Sequence, residues 1–124
     1  MSPLTHTVAV LGASNKPDRY SNMAIRMLMK CGYQVIPVHP KLKEIEGLQV
    51  VPNLTKIQES VQTLTVYVGP LRLRTIVDEI VALCPERVIL NPGTEDDEVE
   101  SILKENGIPL IKACTLVMLQ SDQF

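Results

Sequence analysis

Tryptophan is missing from this 124-residue chain, and its aromatic side chains are three tyrosines and a single phenylalanine, Phe124. Any core it forms must therefore be aliphatic. Cysteine is sparse too: Cys31, Cys84 and Cys114 are an odd set without C-x-x-C spacing. That argues against a disulfide scaffold or a zinc knuckle and fits a reducing compartment. No run approaches the roughly 18 consecutive apolar residues of a membrane span. The start, Met1 to His6, has no basic segment followed by an apolar run, so no signal peptide is expected and the cytoplasm is the expected location. A net charge of −2 gives no reason to expect nucleic acid or a membrane as a partner.

Two phosphate-binding fingerprints are absent as well. The G-x-G-x-x-G loop of redox dinucleotide folds is not present, because Gly12 is followed by Ala13, Ser14, Asn15, Lys16 and Pro17. G-x-x-x-x-G-K-[ST] does not occur either, which removes ordinary ATP and GTP hydrolases.

What remains is an ordinary globular composition, 45% apolar and 21% charged, sized for one domain over residues 1–124. Its organising stretch is Val8 to Pro17. A buried first strand there breaks into a glycine, small residues and a proline, and a helix begins near Ser21. That is how a doubly wound fold presents a phosphate-cradling loop.

Strands and helices then alternate. The first helix is expected from Ser21 or Asn22 to Cys31, with Met23, Ala24, Met27, Leu28 and Cys31 on its apolar face and Gly32 closing it. The second strand, Gln34 to Val38, contains Pro37, which is expected to end its pairing. A turn at Glu44 to Leu48 and a brief extended piece at Gln49 to Val51 follow. Leu54, Ile57 and Val61 suggest a short irregular helix.

Thr63 to Val68 is the third strand, Leu71 to Leu83 the second long helix and Arg87 to Leu90 the fourth strand. Thr94 is expected to cap a third helix that ends at Asn106-Gly107, with Glu95 to Glu98 as its solvated, dipole-stabilised start. Pro109 to Lys112 is the fifth strand, and a short tail follows. The pattern predicts a Rossmann-like, three-layer α/β fold with five parallel strands in order 3-2-1-4-5.

Ligands of such a sheet bind outside the carboxyl ends of its strands. Gly12 to Tyr20, Val38 to Lys41, Gly69 to Arg72 and Asn91 to Thr94 fall there. The first loop offers backbone N–H groups at Ala13 and Ser14, the Ser14 hydroxyl, and the charges of Lys16 and Arg19. This set suits a pyrophosphate that is held and not hydrolysed. The second strand ends in Val38-His39-Pro40-Lys41, with no carboxylate to hold a bare ribose, which fits a ribose that carries a phosphate. No complete catalytic arrangement stands out. His39 has no acidic neighbour in its loop to orient it as a base. His6 is expected at the opposite end of the sheet. Cys114 is either a buried, inert thiol or a rim thiol able to approach a bound thiol or an electrophile.

Val8 to Ser14, Gly32 to Pro40, Ile45-Glu46-Gly47 and Asn91-Pro92-Gly93 together resemble the small CoA-binding proteins. These are stand-alone relatives of the CoA-binding domain of the succinyl-CoA synthetase alpha subunit. The resemblance runs from about Thr7 to Thr115. It implies that Gly12, Ala13, Ser14, Lys16 and Arg19 surround the pyrophosphate of coenzyme A. Val38, His39, Pro40 and Lys41 would lie by its adenosine end, with Lys41 on the 3′-phosphate. Gly69, Pro70 and Leu71 would flank the nucleotide's other side, and Asn91, Pro92 and Gly93 would approach the pantetheine. The histidine that the synthetase phosphorylates lies in a further domain without counterpart here, so the resemblance implies binding of CoA or an acyl-CoA, not ligase activity. An NADP-using oxidoreductase and a regulatory protein without cofactor stay open as alternatives. So does a homodimer.

Overall fold

The computed structural model describes residues 6–124; apart from His6, the start of the chain considered above lies outside the described residues. The strand β1 (Thr7–Leu11) is buried along its whole length. It pairs in parallel with β2 (Gln34–Val38) on one side and β5 (Thr63–Val66) on the other. Beyond β5 lie β6 (Arg87–Leu90) and β7 (Leu110–Lys112), also parallel. Between β2 and β5 the chain forms a small antiparallel hairpin, β3 (Glu44–Ile45) and β4 (Leu48–Gln49), and a 3-10 turn at Leu54–Lys56. The helices are α1 (Tyr20–Lys30), α2 (Pro70–Leu83), α3 (Asp97–Glu105) and α4 (Thr115–Gln120).

The expected doubly wound parallel sheet is thus present, and its order reads β2-β1-β5-β6-β7. The place outside β2 is taken by a single parallel bridge from Val51 to Val38, and Thr63–Val66, counted third in the sequence, lies beside β1. Pro37 explains why the outer position shrinks to a bridge. Its C=O accepts from Val51 N–H and His39 N–H donates to Val51 C=O, so residue 37 faces outward. A proline has no N–H to extend that ladder. The inner ladder to β1 loses nothing, and β2 pairs through Pro37 to Val38.

Alternation along the strands builds two cores. Ala9, Leu11, Leu64, Val66, Val88 and Leu90 face α2 and α3, where Leu73, Val77, Ile80, Val99 and Leu103 meet them. Val8, Val10 and Val35 face the other side, with Ile25 and Leu28 of α1. Each fully buried aliphatic side chain contributes about 1.5–3 kcal/mol.

Four expectations are corrected here. The α1 stripe runs through Ala24, Ile25 and Leu28, whereas Cys31 is exposed. Glu46-Gly47, read as a plain turn, joins a hairpin; both residues have positive φ (51° and 81°), as a type I′ turn requires. The cap of α3 is Asp96, not Thr94: its carboxylate accepts from Val99 N–H at 3.1 Å and pairs with Arg74 at 2.7 Å. It is buried, so the acidic run is not uniformly solvated. The expected tail forms α4, which packs against α1.

Candidate functional site

The ends of β1, β2 and β5 and the amino ends of α1 and α2 enclose a cleft of about 730 Å³, within the range of small-molecule and cofactor sites. Its floor is the loop after β1. Gly12 has φ +84°, and a Cβ there would stand 2.9 Å from Val68 Cγ1 and 3.1 Å from the Tyr67 carbonyl carbon. Only glycine lets the loop turn this tightly against the end of β5.

The loop is then clamped from behind. Asn22, fully buried on α1, donates to Ser14 C=O at 2.9 Å and to the Glu46 carboxylate at 3.2 Å. Arg26 donates to Asn22 Oδ1 and to Pro17 C=O, both at 2.8 Å. Carbonyls at Ser14 and Pro17 are thereby tied to α1.

The Ala13 N–H, expected to face a phosphate, is spent on Val38 C=O at 3.1 Å. Ser14 N–H has no partner among the described residues. The Ser14 hydroxyl oxygen accepts from Lys16 N–H at 3.1 Å, which leaves its proton free to donate.

Lys16 and Arg19 line the cleft from this loop and Arg72 lines it from the first turn of α2. None of the three has an ion-pair partner among the described residues. Two cations outside the cleft are ion-paired, Arg74 with Asp96 and Glu98 and Lys112 with Glu100; what sets Lys16, Arg19 and Arg72 apart is that they converge on one cleft. Glu79 is the one carboxylate in the described wall. An acidic protein therefore carries a cleft with local excess positive charge. The amino ends of α1 and α2 add their dipoles in the same sense.

His39 sits at the end of β2. Its Nδ1 accepts from Lys41 N–H and Leu42 N–H, each at 3.0 Å. Partial burial, then the charges of Arg72 and Lys41, hold its pKa below the usual histidine value. A neutral ring with an acceptor Nδ1 carries its proton on Nε2, so His39 is a donor. Tyr67 also lines the cleft, and its buried hydroxyl has no partner in hydrogen-bond geometry. Burial pushes its pKa up to about 12 against the opposing pull of the Thr115 and Thr65 hydroxyls.

Of the residues singled out in the sequence, Gly12, Ala13, Ser14, Lys16, Arg19, Val38, His39, Pro40, Gly69 and Pro92 line this cleft. Lys41, Pro70, Leu71, Asn91 and Gly93 do not. Lys41 is exposed at the rim, its N–H bound to His39. Pro70 occupies the first turn of α2, and Leu71 is 77% exposed. Asn91 is buried and fully committed: it donates to Thr65 Oγ1 and Val66 C=O and accepts from Thr115 N–H. Gly93 N–H donates to the Glu95 carboxylate. Cys114 precedes α4, half-exposed, and is not part of the cleft wall.

Arg72, placed at the crevice only as the end of the Gly69 to Arg72 loop, also lines the cleft, and Pro52, Asn53, Leu54, Ile76 and Glu79 were not anticipated there. Arg72, Ile76 and Glu79 recur at i, i+4 and i+7, a second stripe beside the core stripe Leu73, Val77 and Ile80. That spacing was the available signal.

Comparison with known proteins places this geometry in a family. The chain is 29% identical to the uncharacterized protein YneT of Bacillus subtilis, over 84% of this chain and 77% of that one. It is 26% identical to the ADP-forming acetate–CoA ligase I of Archaeoglobus fulgidus, over 93% of this chain but only 18% of the ligase. Among solved structures, cell-free ID.343 from Thermus thermophilus superposes with a TM-score of 0.88 at 36% identity, covering 96% of this chain and 90% of that one. A family model described as CoA binding domain matches residues 6–120, and the chain belongs to that CoA-binding domain family.

Proposed function

We propose that the cleft binds coenzyme A, or an acyl-CoA, without transforming it. The observation that carries this reading is the gathering of Lys16, Arg19 and Arg72, all unpaired among the described residues, around the Gly12 loop of a CoA-binding domain. The residues fit the ligand. Gly12 keeps the loop low enough for a pyrophosphate to approach, and Ser14 N–H, the Ser14 hydroxyl, Lys16 and Arg19 are its donors. Such charge-assisted hydrogen bonds are worth about 1.5–3 kcal/mol each.

The 3′-phosphate belongs at the end of β2. Arg72 and Lys41 both lie near enough to His39 to depress its pKa, and the His39 Nε2–H adds a neutral donor between them. Arg72, in the cleft wall, carries more of this contact than Lys41, which stands outside it. The pantetheine arm leaves past Pro92 and Tyr67. Bound CoA supplies a thiol carrier; the chain's own residues bind and orient it.

Calorimetric titration tests this. CoA is expected to bind, and dephospho-CoA to bind about 10–100-fold more weakly through the loss of one charge-assisted contact. Equal affinities would remove the 3′-phosphate role of Arg72 and Lys41. Tight binding of NADP with none of CoA would replace this reading by the dinucleotide one.

A further inference from the structure

We infer that Asn53 and Glu79 form a base-reading pair that selects adenine at the nucleotide end of the cleft; this rests on the CoA reading above. The bridge between Val51 and Val38, with His39 N–H bound to Val51 C=O, sets Pro52 and Asn53 directly beside the end of β2. The 3-10 turn that follows packs on α2. Asn53, which caps that turn, and Glu79 of α2 both line the cleft.

Their hydrogen-bonding capacities differ in a useful way. Asn53 Oδ1 is occupied, accepting from Thr55 N–H and the Thr55 hydroxyl. This fixes the amide orientation and leaves Nδ2 as a donor with no partner among the described residues. The Glu79 side chain offers carboxylate oxygens as acceptors, and it too has no partner among the described residues. A donor beside an acceptor matches the adenine edge, where a ring nitrogen accepts next to the N6 amino donor. A base with a 6-oxo group presents an acceptor to the carboxylate and is repelled.

Apolar surface between these groups completes the site. Pro52, from the loop beside β2, and Ile76, from α2, also line the cleft and suit the faces of a flat ring. On α2, Arg72 precedes Glu79 by seven residues, about 10 Å along the helix axis. The stripe thus offers a cation for a ribose phosphate, then an aliphatic stretch, then an acceptor. That sequence of chemistries follows a nucleotide from phosphate to base.

The test compares CoA with the analogue whose adenine is replaced by hypoxanthine, by calorimetry on wild type and on Glu79→Gln. The wild type is expected to prefer CoA at least tenfold. In Glu79→Gln the amide can rotate to donate to the 6-oxo group, so the preference should fall below threefold or invert. Glu79 is half-exposed, and a thermal melt of the variant checks that it folds. A wild type that binds both ligands equally, or a ratio unchanged in the variant, overturns the Glu79 assignment while leaving CoA binding standing. Failure of wild type to bind CoA overturns the reading of the cleft and this pair with it.

Discussion

Two loops leave the carboxyl edge of the sheet in similar ways and end with opposite chemistry. The loop after β1 and the loop after β6 each contain a glycine at positive φ, Gly12 at +84° and Gly93 at +91°. Each runs into a helix. After β6 the polar groups are consumed internally: Asn91 makes three bonds, Thr94 donates to Asn91 C=O, Glu95 takes Gly93 N–H, and Asp96 caps α3 and holds Arg74. After β1 the carbonyls of Ser14 and Pro17 are tied down by Asn22 and Arg26, but Ser14 N–H and the charged side chains of Lys16 and Arg19 are left without partners among the described residues. The donors of one loop are spent on the fold, and those of the other are left open, as the proposed CoA site requires. An anion-binding loop must keep its donors uncommitted, and it is stabilised from behind instead.

The largest expected effect separates the two glycines. Both positions strain any L-residue by about 1–3 kcal/mol. Gly93 has nothing within 4 Å of a would-be Cβ, whereas at Gly12 that atom meets Val68 at 2.9 Å. Overpacking adds about 1–3 kcal/mol there. Urea melts should show Gly12→Ala destabilised by about 3–5 kcal/mol and Gly93→Ala by about 1–2 kcal/mol. Equal losses would mean that Val68 yields freely and that the close approach is unimportant.

Next comes Asn91→Ala. It strands the buried Thr115 N–H and Val66 C=O and should cost about 2–4 kcal/mol. CoA affinity measured well below the melting temperature should be unchanged. Lys16→Ala and Arg19→Ala should do the reverse. Stability should stay within about 0.5 kcal/mol of wild type, as for exposed positions, and CoA affinity should fall about 10–100-fold each. A weakened CoA complex in Asn91→Ala, or an unaffected one in Lys16→Ala, would erase the contrast between the loops.

The contrast was only half legible in the sequence. Regular elements declare themselves through period and punctuation, so β1, β2, α2 and β6 were readable almost to their ends. The loop after β1 was readable because a glycine, a hydroxyl and two cations coincide at a strand end. The loop after β6 looked equally promising, since Asn91-Pro92-Gly93 carries the same kinds of residue. Nothing local reveals that Asn91 turns inward to satisfy α4, because its partners Thr65 and Thr115 lie 26 and 24 residues away. Glu79 was hidden for a similar reason. On a helix the stripe facing a ligand and the stripe facing water look alike until the neighbouring wall, here Asn53, is in place. Lys41 and Arg72 show the limit clearly: both are cations just beyond a strand end, and only the path of the chain puts one in the wall and the other outside it.

The smallest expected effect is the pH dependence of stability, which the two sides of the cleft-bearing edge should divide between them. His39 has a folded pKa below the ordinary histidine value of 6.5, as does His6, which bonds Thr63 at the other end of the sheet. The unfolded chain therefore binds these protons first. Their contribution is complete above about pH 6.5 and is lost as pH falls toward the lowered folded values. Asp96 is depressed below 3.8 by Arg74, so its contribution is complete above about pH 4 and disappears only as pH drops through that lower value. Urea melts from pH 8 to pH 3 should show two separate declines. His39→Gln should flatten part of the first and leave the second, and Asp96→Asn the converse. Saturating CoA should also flatten the His39 part, because an anion beside the ring favours its protonated form. A first decline that His39→Gln and CoA both leave untouched would place the anion elsewhere than beside His39.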